Sequence, residues 1–199
     1  MNADRFEEWP GPDMNDFAAT FDHMKRNEPV VLAAAAVAII GLATILGAWF
    51  FQVVVGLPPC PLCLEQRYAY YFSIPLALLV LLGSSHGASR KVLFAALVVI
   101  ALGMLWNAGL GAYHAGVEWK FWEGPRDCSG GGLTDLGTAG GLLDSLKNIR
   151  VVRCDEIPWS FLGISLAGYN AIISLALSLI ASWGAWRAWR TLPPRETLS

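Results

Sequence analysis

Four long apolar runs constrain this chain more than any other feature. The first, Pro29 to Leu57, contains no charge. The second, from about Leu62 to Gly83, opens with Glu65 and Arg67 and turns largely apolar after Tyr71; Pro75 inside it is expected to bend a helix. The third covers Val92 to Gly111, and the fourth, about Trp159 to Trp183, has no charge. Each is close to or beyond the roughly 20 residues that carry a helix across a bilayer. The first run is too long, and too far behind a polar tail, for a cleavable signal peptide, whose apolar core has about 7–15 residues. Composition agrees: 15% of the 199 residues are charged and the mean hydropathy is +0.46, whereas a soluble domain carries about 25% charged residues. A net charge of −2 with no basic stripe excludes nucleic acid as a partner. Nine Trp and five Tyr suit aromatic rings at the two membrane interfaces. The expected fold is an all-α, four-helix transmembrane bundle.

The runs divide the chain into an N-terminal tail (1–28), a membrane domain (29–185) and a C-terminal tail (186–199). The spans fall at about 29–57, 62–83, 92–111 and 159–183, with outer loops at about 57–67 and 112–158. Four spans put both termini on one side. That side holds eight basic residues: Arg5, Lys25, Arg26, Arg90, Lys91, Arg187, Arg190 and Arg195. The long outer loop holds five, balanced by seven acids including Glu118 and Asp155. The positive-inside rule then makes the termini cytoplasmic and turns all four cysteines toward the oxidising side. Within the long loop, Ser129 to Gly141 is Gly-rich. Leu142, Leu143, Leu146 and Ile149 follow at helical spacing and predict a short amphipathic helix, lying on the membrane surface or packed on the bundle.

Cys60 and Cys63 form a C-x-x-C at the start of the second span. A short loop of this kind makes a disulfide that reopens easily, and a helix N-terminus favours the thiolate. Haem attachment needs His at position 64, which is Leu. A zinc site would want a second close pair, but Cys128 and Cys154 are 26 positions apart, so no metal is expected. An inert disulfide is the plain alternative for the first pair. For Cys128 and Cys154 a structural staple, worth about 3 kcal/mol, stands beside a mobile relay. Arg67 lies one helical turn after Cys63, placed to stabilise a thiolate or hydrogen-bond a carbonyl oxygen, or else to meet lipid phosphate. His114 taken alone is an ordinary interfacial residue, and Asn107 and Asn170 read as interhelical hydrogen-bonding residues.

Taken together these residues resemble the DsbB family of bacterial disulfide bond formation proteins, over about residues 30–185. The resemblance rests on four spans, a C-x-x-C in the first outer loop and two cysteines in the second. It rests also on the segments Cys60-Pro61-Leu62-Cys63-Leu64-Glu65-Gln66-Arg67 and Cys154-Asp155-Glu156-Ile157-Pro158-Trp159-Ser160-Phe161-Leu162-Gly163. It implies a multi-pass inner-membrane oxidoreductase that reoxidises a periplasmic DsbA-like thioredoxin-fold protein and passes the electrons to the membrane quinone pool, ubiquinone or menaquinone. By the same resemblance Cys128 forms the mixed disulfide with the partner and Cys154 carries the exchange to Cys60. Cys63 contacts the quinone, Arg67 helps bind it, and His114 lies near the quinone end of the third span. Two rivals are a membrane thiol carrier working outward as a reductant and a scaffold with two structural disulfides. The first would place its cysteines within spans. The second predicts disulfides that resist mild reductant.

Overall fold

Each apolar run forms one helix in the computed structural model, which describes residues 20–23, 25, 27–125 and 153–191. The helices are α1 (Glu28–Val53), α2 (Pro61–Ser85), α3 (Arg90–Glu118) and α4 (Leu166–Arg190), all long and apolar enough to cross a membrane. Cys128, the Gly-rich stretch, the expected amphipathic helix and most of both tails lie outside the described residues. Pro29 occupies the first turn of α1 and Pro61 that of α2, where a missing N–H costs nothing.

Two boundaries differ from the apolar pattern. Helix α3 continues past Gly111 to Glu118, because nothing in the segment after it breaks a helix. It ends where Lys120 takes a left-handed φ of 61°. There the Phe121 amide donates to the Gly116 carbonyl at 2.9 Å and the Lys120 amide to Val117 at 3.1 Å, closing a Schellman-type cap. Helix α4 begins at Leu166 rather than near Trp159. The residues before it form a hairpin of β1 (Ser160–Phe161) and β2 (Ile164–Ser165), antiparallel, with Phe161 opposite Ile164. Its two turn residues, Leu162 and Gly163, have φ of 49° and 78°, the positive pair that a tight type I′ hairpin requires. Ser165 then caps α4, its hydroxyl accepting from the Gly168 amide at 3.2 Å.

The interior is built from Val37, Leu97, Ile100, Met104 and Leu177, while Ile39, Leu79, Leu102 and Leu179 face outward. An apolar exterior suits lipid, where burial of Leu against Leu gains little and close backbone approach decides packing. Small residues provide that approach. A Cβ added to Gly111 would lie 2.9 Å from the Ala171 amide nitrogen, and one on Gly184 would lie 2.5 Å from the Ala33 Cβ. Lys25, Arg90, Arg187 and Arg190 line one cavity at the end of the bundle where α1 begins and α4 ends. Cys60, Cys63 and Cys154 sit at the opposite end.

Candidate functional site

The site forms where α2 starts, α3 ends and the β-hairpin leads into α4. Cys60 is the N-cap of α2 in extended conformation, and its Sγ accepts from the Cys63 amide at 3.2 Å. The chain thus folds so that one helix turn brings the two thiols together. The Cys60 thiol donates to Cys63 Sγ, with the sulfurs 2.8 Å apart, and both cysteines are free thiols. The two are not equivalent. Cys60 is buried and Cys63 is half-buried. Its hydrogen bond to Cys63 and its burial push the Cys60 thiol well above the ordinary cysteine range. The proton of the pair therefore rests on Cys60.

On one side Cys60 meets polar and reactive groups. Its Sγ lies 3.6 Å from His114 Nε2. Cys154 is disulfide-bonded and buried. Its sulfur, Cys60 Sγ and a His114 ring nitrogen all lie within 4.8 Å of one another. A sulfur already in a disulfide offers no thiolate to a metal. Cys154 is held there from outside: Asp155 accepts from Lys120 at 2.6 Å and from Arg153 at 2.9 Å. These bonds, Arg153 first, draw the half-buried Asp155 carboxyl down to about 2.

On the other side Cys63 lines a cavity of about 500 Å³ between α1, α2, the hairpin and α4. Ile45, Ala48, Phe51, Pro58, Trp159 and Phe161 give it mostly apolar walls, and Arg67, Gln66 and Asn170 give it polar points. Trp159 packs on Phe51 with ring centroids 5.0 Å apart and stacks on Phe161. Arg67 Nη1 donates to Gln52 Oε1 at 2.7 Å, which ties the guanidinium to the end of α1. His114 does not line this cavity.

A hydrogen-bonded network joins the two sides. Gln66 Nε2 lies 2.9 Å from His114 Nδ1, and Gln66 Oε1 accepts from Asn170 Nδ2 at 2.7 Å. Asn170 Oδ1 accepts from the Tyr70 hydroxyl at 2.8 Å, and Asn107 Nδ2 donates to Ser174 at 2.9 Å. Asn107 and Asn170 are thus interhelical ties, as their positions within spans led us to expect. Beyond His114 stands Glu118, buried, with Oε1 4.0 Å from His114 Nε2 and Oε2 accepting from the Ser165 hydroxyl.

Of the six residues singled out in the sequence, the structure gathers Cys60, Cys63, Arg67, His114 and Cys154 at one end of the bundle; Cys128 is outside the described residues. Sequence reasoning missed Gln66, Glu118, Ser165 and Gln52. The i, i+4 spacing of His114 and Glu118 was a usable signal, hidden by ending the third span at Gly111.

Fold and site define a multi-pass membrane protein with a C-x-x-C dithiol set against a second, disulfide-bonded cysteine. Residues 30–184 match the family model described as Disulfide bond formation protein DsbB. The Disulfide bond formation protein B of Xanthomonas euvesicatoria pv. vesicatoria (strain 85-10) is 32% identical over 150 residues, 72% of this chain and 83% of that protein. The protein of the same name from Saccharophagus degradans (strain 2-40) is 32% identical over 148 residues, 72% of this chain and 85% of its own. That of Albidiferax ferrireducens (strain ATCC BAA-621) is also 32% identical over 148 residues, 69% of this chain and 77% of its own. No solved structure matches the chain. The chain belongs to the DsbB family, oxidoreductases of disulfide bond formation.

Proposed function

We propose that the protein reoxidises a soluble, periplasmic DsbA-like thiol oxidase and passes the electrons to membrane quinone. The observation that carries this reading is the two-sided thiol pair. Cys60 faces disulfide-bonded Cys154, and Cys63 faces an apolar cavity with a guanidinium at its wall. A dithiol placed between a disulfide and a lipid-side cavity is placed to relay electrons from one to the other.

The chain's own residues divide the work as follows. Cys128 accepts the partner's thiolate and forms the mixed disulfide, releasing Cys154. Cys154 thiolate attacks Cys60 of the oxidised pair, the Cys60–Cys63 bond breaks, and Cys63 leaves as thiolate. A helix N-terminus beside the pair favours that leaving group. When the exchange is complete the partner is oxidised, and Cys60 and Cys63 together hold two electrons and two protons. A bound quinone would supply the acceptor for the two electrons. Cys63 and Arg67 are the residues that would hold it, because they share the cavity. About 500 Å³ with few polar points fits an apolar ring carrying carbonyl oxygens. His114 serves the Cys60 side, where its Nε2 meets the sulfur. A strongly oxidising partner at about −120 mV needs an acceptor of higher potential, which supports a quinone as the sink. The basic residues at the far end of the bundle support cytoplasmic termini and an inner-membrane setting with the cysteines in the periplasm. The membrane domain so placed is 29–185, flanked by cytoplasmic tails 1–28 and 186–199.

The test is quinone reduction by the purified protein with a reduced DsbA-like protein as donor, followed by the quinone's ultraviolet absorbance. Catalytic loss of absorbance that vanishes in Cys63→Ser is expected. No loss with ubiquinone or menaquinone analogues would overturn the reading.

A further inference from the structure

Glu118 is the one buried carboxyl among the described residues, and the reaction above assigns it nothing. Several groups face it. His114 lies one turn earlier on α3, with Nε2 4.0 Å from Glu118 Oε1 and 3.6 Å from Cys60 Sγ. Ser165, at the start of α4, donates to Oε2 while its oxygen accepts from the Gly168 amide. From α2 come Cys60 and Cys63, with Arg67 farther along the same helix acting on Cys63. From the segment before β1 comes Cys154, whose backbone is hydrogen-bonded to His114. A carboxylate on Glu118 acts against a thiolate on either member of the pair.

These positions create a charge problem. Oxidation of the thiol pair releases two protons with its two electrons, and one of those protons starts on a buried sulfur, Cys60. A thiolate and a carboxylate in one desolvated pocket repel each other, so the pocket favours a single negative charge. Between Cys60 and Glu118 stands His114, its Nε2 near both.

We propose that Glu118 is the positioning residue that takes up the Cys60 proton, so that the pocket passes one negative charge between carboxylate and thiolate. The Cys60 S–H bond breaks, an O–H bond forms on Glu118, and no electrons change hands in this step. His114 Nε2, 3.6 Å from Cys60 Sγ and 4.0 Å from Glu118 Oε1, faces whichever partner carries the charge, and the Ser165 hydroxyl steadies the carboxylate when the charge is there. The inference rests on the thiol-oxidase reading for its role in turnover, but its chemistry is a property of the quinone-free protein.

The experiment therefore uses full-length protein in detergent without quinone, carrying Cys63→Ser so that Cys60 is the only reactive thiol of the pair. The rate of Cys60 alkylation by iodoacetamide is followed against pH by peptide mass spectrometry. Replacing Glu118 with Gln keeps the shape and the acceptor for Ser165 but removes the charge. Glu118→Gln is expected to move the alkylation profile down by about one pH unit, the size of a like-charge effect at close range. In protein with Cys63 intact the same substitution is expected to slow turnover several-fold at neutral pH, and Glu118→Asp to restore part of it. A thiol that becomes more acidic while turnover falls is a split that loss of packing would not produce. Ser165→Ala, which weakens the carboxylate without touching α3, is expected to shift the profile in the same direction by less. An alkylation profile unmoved by both Glu118→Gln and Ser165→Ala would overturn the proposal. Because that readout needs neither quinone nor donor, it stands apart from the quinone assay: failure there alone would sink the oxidase reading and leave the proton pairing intact.

Discussion

The two faces of the thiol pair hold different groups. Cys60 rests on Leu62 and Val117 and meets His114 and the sulfur of Cys154, with Glu118 beyond the His114 ring. Around Cys63 the walls are mostly aliphatic and aromatic, with Gln66 and Asn170 as polar points and Arg67 the single charge among the cavity's described residues. Three residues apart in sequence, the cysteines look into different solvents. The difference comes from one helix start. The N-cap turns Cys60 inward against the end of α3, and the next turn carries Cys63 out toward α1 and the hairpin. On the proposed reading, the dithiol exchanges disulfides on the Cys60 side and delivers electrons on the Cys63 side without either cysteine moving between them.

Removing either face should erase the relay. Cys60→Ser and Cys63→Ser are each expected to bring quinone-linked turnover to background, measured by quinone absorbance. Near-normal turnover in one of them would mean that the two faces do not work in series. Arg67→Ala tests the apolar face alone. It is expected to raise the apparent KM for quinone about tenfold, the equivalent of about 1.4 kcal/mol for one charge-assisted hydrogen bond, with little effect on the KM for the protein donor. An unchanged quinone KM would take Arg67 out of that face.

Gln66 lies on the divide, lining the cavity while holding His114 and Asn170. Gln66→Leu leaves the Asn170 amide and the His114 ring without their partner. The expected loss is about 1–3 kcal/mol of stability, read as a lower Tm in detergent. A melting curve identical to that of the parent would show that the network does not join the faces. Asp155 gives the smallest effect, because its partners Lys120 and Arg153 are exposed and the ion pairs are screened by salt. Its carboxyl is drawn below the ordinary 3.8 to about 2, so its contribution to holding the Cys154 segment is present above the ordinary carboxyl value and is lost as pH falls toward 2. Relative to the parent, Asp155→Asn should speed opening of the Cys154 disulfide by a water-soluble phosphine at pH 5, and the ratio should shrink toward one near pH 2.

Much of this arrangement is legible in the sequence because membranes impose strong rules. Four long apolar runs could be only so many things, and a C-x-x-C next to Arg67 carries its chemistry in its spacing. What the pattern hides is instructive. Glu118 counts as a loop acid as long as α3 is ended at the last Gly of the apolar run, yet its helix continues for another two turns and buries it. The helical period that drew attention from Cys63 to Arg67 passes over Gln66, whose partners come from α3 and α4 and are invisible to local spacing. Trp159 to Ser165 looks like the opening of an apolar span. It is a hairpin because Leu162 and Gly163 both adopt positive φ, which hydropathy does not register.

The claim that Cys60 alone faces the exchanging disulfide is the one to test most directly. Two full-length variants would be compared under a mild oxidant: Cys63→Ser with Cys128→Ser, which keeps Cys60 and Cys154, and Cys60→Ser with Cys128→Ser, which keeps Cys63 and Cys154. The cross-links are identified by mass spectrometry of non-reduced peptides. The expected result is a Cys60–Cys154 disulfide in the first variant and little or no Cys63–Cys154 disulfide in the second. A Cys63–Cys154 bond forming as readily as Cys60–Cys154 would contradict the two-faced pair.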